Sequence, residues 1–364
     1  MIAFNSSVTT ASAPAPRALE HVEALPRYVT AAPAPAPDAV LLASNESPFD
    51  PLPSVRQAVI DGSARLHRYP EMHSGQLRAE LGTRLGVRPE RIVVGTGSVG
   101  VLQQIFTAFA RAGDEIVFPW RSFEAYPILA GACGATAVAV PLDAAGGIDL
   151  AATRSAIGPA TKIVLLCLPN NPTGTMPARE AIAEFVAAVP PHVLVVLDEA
   201  YLEFTGAGDE TIGLLARHAN LVLVRTFSKA YGLAGLRVGY AVAPADVADA
   251  LRRVFLPFGV TALAQLAALA SLRAGDELAA RVAAVVAERE RVHRLLREHG
   301  WRVPRSYANF VWLADPGRAA PIGDRLRESG VLTRVFPGEG VRLTIGTPEM
   351  NDRALAALSG VRPR

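Results

Sequence analysis

Leu221-Val222-Leu223-Val224-Arg225-Thr226-Phe227-Ser228-Lys229-Ala230-Tyr231-Gly232-Leu233-Ala234-Gly235-Leu236-Arg237 is an apolar run that passes into a loop of small residues punctuated by glycine. The aliphatic start predicts a buried strand, and the loop behind it is the kind of segment on which function concentrates. Its lysine is informative because the chain holds 36 Lys plus Arg residues, of which only Lys162 and Lys229 are lysines. A guanidinium stays protonated, whereas a buried ammonium can lose its proton and attack an aldehyde. Lys229 is therefore a candidate nucleophile. Lys162, just ahead of Ile163-Val164-Leu165-Leu166, reads as the solvated start of a strand.

Similar runs recur on either side. Ile92-Val93-Val94, Glu115 to Phe118, Ala137 to Val140, Ile163 to Leu168, Val193 to Leu197, Leu221 to Val224 and Val238 to Val242 alternate with amphipathic stretches between residues 50 and 260. This predicts an α/β large domain with a mostly parallel sheet sandwiched by helices. After 260 the pattern changes. Thr261 to His299 reads as one long helix, followed by strands at Phe310 to Leu313, Val331 to Thr333 and Val341 to Ile345 and a helix at Ile322 to Ser329. Residues 261–364 thus form an expected smaller α+β domain, against which the N-terminal segment 18–49 packs. Residues 1–17 are Ser, Thr, Ala and Pro rich and read as a disordered tail; Leu19 to Tyr28 reads as a short helix, and Ala31 to Pro37 as a stiff connector.

The bulk numbers exclude several classes. At 364 residues the chain is long enough for two domains, and a formal charge of +2 offers no field for nucleic acid or anionic lipid. The two cysteines, Cys133 and Cys167, are too far apart for a CxxC motif and read as reduced core thiols. His21, His67 and His73 show no metal spacing. No apolar run is long enough to span a membrane, and Met1 to Pro16 lacks a secretory pattern, so a soluble cytoplasmic protein is expected.

Polar residues cluster just after the expected strands, at the edge where open α/β sheets bind ligands. Asp198 ends Val193 to Leu197 and leads to Tyr201; Asn171 lies in Pro169-Asn170-Asn171-Pro172-Thr173-Gly174. Gly95-Thr96-Gly97-Ser98 opens a helix whose free N–H groups favour an anion, with no Gly-Lys-Ser/Thr to make it a nucleotide loop. An amine, a carboxylate, neutral donors and an anion cradle with Arg237 together describe a site for pyridoxal 5'-phosphate.

The order of elements resembles a fold-type I aminotransferase dependent on that coenzyme. Leu42 to Pro48, Arg68-Tyr69-Pro70, Pro169 to Gly174, Asp198 to Tyr201, Thr226 to Arg237 and Val341 to Gly346 are similar to motifs of the histidinol-phosphate aminotransferase family. Trp120-Arg121-Ser122-Phe123-Glu124-Ala125-Tyr126-Pro127 and Ala308-Asn309-Phe310-Val311-Trp312 resemble its actinobacterial aromatic amino acid (phenylalanine) branch. The resemblance implies that Lys229 holds the coenzyme and shuttles protons, that Asp198 pairs with the ring nitrogen, and that Asn171 and Tyr201 donate to the ring oxygen. Phe123 would stack on the ring. Gly97, Ser98, Thr226, Ser228 and Arg237 would hold the phosphate, joined by Tyr69 from a neighbouring subunit, which implies a homodimer. Tyr28, Phe258, Asn309, Arg334 and Arg342 would meet the substrate.

Substrate choice follows from side-chain character. At positions where histidinol-phosphate enzymes carry tyrosines this chain has Tyr28, Phe123 and Phe258; only Tyr28 keeps its hydroxyl, and Phe123 and Phe258 offer an apolar wall suited to a benzene ring. The expected reaction is transamination of phenylalanine or tyrosine with 2-oxoglutarate; histidinol phosphate is the alternative substrate, since Arg334 and Arg342 could hold its phosphate. A ligand-sensing transcription regulator on this fold would need a DNA-binding domain ahead of it, where the chain is Ala and Pro rich. Two departures stand out: Val29-Thr30 where a Pro-Gly turn is usual, and Leu168 where a polar residue is more usual.

Overall fold

The computed structural model describes residues 15–28, 36–206, 208 and 210–361. Most of the expected tail and of the Ala/Pro connector, together with the Val29-Thr30 departure, lies outside them. In chain order the first elements are α1 (Glu20–Glu23), β1 (Val40–Leu42), α2 (Pro53–Ser63), α3 (Gly75–Leu85), β2 (Ile92–Gly95), α4 (Gly97–Phe109), β3 (Glu115–Trp120) and α5 (Ala125–Ala132). Next come β4 (Thr136–Pro141), α6 (Leu150–Ser155), β5 (Thr161–Cys167), α7 (Arg179–Ala188), β6 (Leu194–Asp198), β7 (Leu221–Thr226), β8 (Gly239–Val242) and α8 (Ala245–Arg253). The last part comprises α9 (Ala262–Arg273), α10 (Gly275–Glu298), β9 (Phe310–Ala314), α11 (Ala319–Glu328), β10 (Val331–Phe336), β11 (Gly340–Thr344) and α12 (Pro348–Ser359).

Seven strands form one sheet in the order β2-β8-β7-β6-β5-β3-β4, parallel except for β8, which runs against both of its neighbours. Strand alternation divides the aliphatic runs between two cores. Val164 and Leu166 of β5 join Val195, Leu197, Leu221 and Leu223 on one face, while Ile163, Leu165 and Cys167 join Val196, Val222 and Val224 on the other. Burial on both faces is why these strands read as continuous apolar runs. Register then sets the site: Cys167, Asp198 and Val224 lie side by side, so the carboxyl ends of β5, β6 and β7 are level.

The second sheet has the order β1-β10-β11-β9 and its own core, including Phe310, Val311, Leu313, Val331, Val341 and Leu343. The expected N-terminal helix over Leu19 to Tyr28 shrinks to α1, which buries none of its residues and has no side-chain cap. So short a helix gains too little from its own hydrogen bonds to extend. Strand β1, which the sequence alone did not mark, pairs in parallel with β10 from Val40 to Leu42. The long helix expected from Thr261 to His299 breaks at Ala274 into α9 and α10. Its first half belongs with the large sheet: Ala264, Ala267, Ala268, Leu269 and Leu272 enter the core that holds Val55 and Leu77, and Leu266 closes on Gly62 of α2. The change of pattern at 260 therefore precedes the change of core by one helix.

Candidate active site

The loops after β2, β3, β5, β6 and β7 open on one cavity of about 580 Å3, closed from the other side by Ala43 to Glu46 and by Arg334 and Arg342 of the second sheet. Tyr28, Ser98, Phe123, Asn171, Asp198, Tyr201, Thr226, Ser228, Lys229 and Arg237 all line it.

One end is an anion cradle. Helix α4 begins at Gly97 with no side-chain cap from Thr96, leaving its first N–H groups for a ligand. Gly97 has φ of +77°, and a Cβ there would stand 2.4 Å from Nη2 of Arg237, so only glycine lets the guanidinium lie across the helix start. Nη1 of Arg237 donates to Ser228 Oγ at 3.2 Å, and Thr226 Oγ1 donates to the same hydroxyl at 3.0 Å. Gly239 is small for a related reason: a side chain there would meet the Ser98 amide at 2.5 Å.

Asp198 lies at the centre, 2% exposed. Its Oδ2 accepts a hydrogen bond from Tyr126 Oη at 2.8 Å, while Oδ1 is buried without a partner. Burial pushes this carboxyl up to about 6, against the hydrogen bonds from Tyr126 and the Ala200 amide. A buried acceptor without a donor is costly, and a cationic N–H at Oδ1 would satisfy it and restore the charge. Across the cavity, Lys229 Nζ donates to the Ser44 carbonyl at 2.9 Å. Burial and the nearby charges of Arg342 and Arg237 bring its ammonium down to about 7, against Glu46. The amine is therefore substantially neutral near neutral pH, as a nucleophile requires.

Two neutral donors are oriented by chains of hydrogen bonds. Asn171 Oδ1 accepts from Arg342 Nη1 at 2.6 Å, which leaves its amide N–H₂ free to donate into the cavity. The backbone N–H of Asn45 donates to Thr344 Oγ1 at 3.0 Å, so the threonine hydroxyl donates onward to Asn45 Oδ1 at 2.9 Å. That turns Asn45 Nδ2 toward Tyr201, whose oxygen accepts at 3.0 Å, and the tyrosine proton is left for an acceptor in the cavity. Asn45 itself has φ of +53° and is held through its carbonyl by Asn309 Nδ2 at 3.1 Å.

At the other end, among the described residues, buried Arg342 bonds only neutral groups, Asn171 and the Ala43 carbonyl, and its Nε has no partner. Arg334, its cross-strand partner, donates from Nη2 to both carboxylate oxygens of Glu124, at 2.9 and 2.7 Å. Tyr28 and Phe123 meet edge to face at 6.5 Å.

Four expected site residues do not line this cavity. Gly97 lies beneath Arg237, as described. Asn309, 1% exposed, touches the Asn45 backbone and acts one layer back from the cavity. Tyr69 and Phe258 stack on each other at 4.7 Å and face outward, 82% and 40% exposed. Phe258 consequently forms no wall beside Phe123 within this chain, because the loop after α8 carries it away from the sheet edge. Conversely, Ser44, Asn45, Glu124, Tyr126 and Thr344 belong to the site without having been singled out. All five fall within or beside motifs quoted above, but their pairings join residues up to 299 positions apart.

Comparison with known proteins agrees with this geometry. The chain matches the family described as aminotransferase class I and II over residues 37–358. It is 48% identical to the aromatic amino acid aminotransferase of Streptomyces avermitilis, covering 93% of this chain and 95% of that one. It is 49% identical to the aromatic amino acid aminotransferase of Cutibacterium acnes, over 88% of this chain and 92% of that one. Among solved structures, the histidinol-phosphate aminotransferase of Sinorhizobium meliloti in complex with pyridoxal-5'-phosphate superposes with a TM-score of 0.83 at 30% identity, covering 89% of this chain and 90% of the other. The architecture is that of fold-type I enzymes. With an amine, a carboxylate with one unpartnered oxygen and an anion cradle at one sheet edge, this chain belongs to the class I and II aminotransferases.

Proposed function

We propose that this chain transfers the amino group of phenylalanine or tyrosine to 2-oxoglutarate, giving the aryl 2-oxo acid and glutamate. The supporting names are those of the relatives from Streptomyces avermitilis and Cutibacterium acnes. The observation that carries the reading is the pairing of Lys229, with its amine near 7, and Asp198, with one oxygen unpartnered, in a single cavity. This donor set fits pyridoxal 5'-phosphate, the coenzyme of the family. When bound, it supplies the carbonyl for amino exchange and an electron sink for the charge left at the substrate's α carbon.

The residues divide that work. Ser98, Thr226, Ser228, Arg237 and the start of α4 would hold the phosphate, and Phe123 would cover the ring. Asp198, oriented by Tyr126, would accept the ring N–H and keep it protonated. Asn171 and Tyr201 would donate to the ring oxygen. Lys229 Nζ would bind the coenzyme and, once freed, take the proton of the substrate's α carbon onto its own nitrogen. Arg342 would grip the α-carboxylate with N–H groups whose partners among the described residues, Asn171 and the Ala43 carbonyl, are neutral. Tyr28 and Phe123 offer the substrate ring an apolar wall.

The outward-facing pair Tyr69 and Phe258 is suited to a C2 homodimer in which Tyr69 reaches the partner's phosphate site. Both cysteines are free and no helix among the described residues is long and apolar enough to cross a membrane, in keeping with a cytoplasmic enzyme. The decisive test compares kcat/KM for phenylalanine, tyrosine and histidinol phosphate with 2-oxoglutarate as acceptor. Phenylalanine should exceed histidinol phosphate. The reverse order would assign the chain to histidinol phosphate, whose phosphate Arg334 would take, with the same coenzyme residues.

A further inference from the structure

An aromatic transaminase that uses 2-oxoglutarate must accept a neutral ring and a carboxylate at the same end of one cavity. In this chain that end contains a charge of each sign. Arg334, whose side chain is 11% exposed, and Glu124, 26% exposed, form a two-point ion pair, and both line the cavity beside Tyr28 and Phe123. Arg334 is also the cross-strand partner of Arg342, so without Glu124 two guanidinium groups would face one another with no anion between them.

Resting on the substrate reading above, we propose that Glu124 sets side-chain specificity as an exchangeable internal counter-ion. It occupies Arg334 when the bound side chain is an aromatic ring and yields Arg334 when the bound side chain carries a carboxylate. A ring pressed against a lone, partly desolvated guanidinium would leave that charge uncompensated; with Glu124 in place the end of the cavity is neutral overall. A dicarboxylate exchanges one carboxylate for another, so the number of ion pairs is unchanged. Glu124 immediately precedes α5, where the helix dipole favours a carboxylate whether or not Arg334 is attached, and its partial exposure lets water take the freed oxygens. A dianionic phosphate fares worse than either, because it brings more negative charge beside Glu124.

The test is Glu124→Gln in the coenzyme-loaded enzyme, with binding of two non-reacting acids, 3-phenylpropanoate and glutarate, followed by the change they cause in the visible spectrum. Glutarate should bind roughly tenfold tighter and 3-phenylpropanoate several-fold weaker. KM for phenylalanine should rise more than kcat falls. Glu124→Asp should lie between wild type and Gln, and Glu124→Gln combined with Arg334→Gln should lose the gain for glutarate. Both acids moving in one direction, or neither moving, would overturn the proposal. If wild type fails to turn over phenylalanine, the substrate reading falls, while the glutarate arm still reports whether Glu124 competes for Arg334.

Discussion

The two ends of the cavity are held in different ways. The proposed coenzyme end is built on strand ends of one sheet, with Asp198 on β6, its neighbour Thr226 on β7 and the start of α4 just behind β2, all anchored in cores of nearly zero exposure. The substrate end is assembled from pieces that share no element: Tyr28 from the N-terminal segment, Phe123 and Glu124 from a loop, and Arg334 and Arg342 from the second sheet. Rigid, local placement suits a group that never leaves. Placement across two sheets, closed by ion pairs Arg334–Glu124 and Arg121–Glu339, suits ligands that must come and go.

The largest expected effect tests the rigid end. Lys229→Ala should lower kcat by about 10⁴-fold or more, because one residue serves as both attachment point and proton carrier, while coenzyme is still retained through its phosphate. Borohydride reduction of the wild type should label Lys229, and a label on Lys162 would break the assignment. Next is a pH effect. The Lys229 amine, brought down to about 7, is neutral above that pH, and the Asp198 carboxyl, raised to about 6, loses its charge below it. Coenzyme capture by coenzyme-free protein should therefore speed up as pH rises through about 7 and weaken steeply below about 6. A stopped-flow absorbance series flat from acid to alkaline pH would contradict both shifts.

Gly97→Ala should weaken coenzyme binding by roughly tenfold through the clash with Arg237 and the positive φ, leaving KM for the amino acid nearly unchanged in coenzyme-saturated enzyme. Equal damage to both constants would mean that the two ends are not separable. The smallest effect tests the boundary between them. In Asn45→Asp the side chain can no longer donate, so Tyr201 would turn its proton to the new carboxylate and away from the cavity. The pH midpoint of the lysine-linked coenzyme's absorbance change should rise by about one unit, and in a Tyr201→Phe background the same substitution should have no such effect.

How much could be read in advance differs between the ends for the same reason. All seven strands of the large sheet were legible because burial on both faces leaves unbroken aliphatic runs, and Asn171, Asp198, Tyr201 and Lys229, which follow those runs, line one cavity. Strand β1 was missed because only three residues pair and one of them is exposed, so it carries no pattern of its own. The break at Ala274 was missed because Gly275 is a weak signal within an alanine-rich stretch. The joining of α9 to the large core depends on Gly62 and Leu266, which are far apart in sequence.

The sequence by itself pointed to the chemistry: a lone loop lysine among arginines, a carboxylate at a strand end and a glycine-opened helix are local features, and local features are written in consecutive residues. Only the tertiary structure decided orientation and charge compensation. The hydroxyl of Tyr201 is left to donate into the cavity because Thr344, 299 residues from Asn45, fixes the side-chain amide of Asn45. Arg334 is neutralised by Glu124, 210 residues away, and Tyr69 and Phe258 are presented outward as a pair. Hydrogen-bond direction and charge compensation depend on which groups meet in space, and that becomes defined only when the two sheets close on the same cavity.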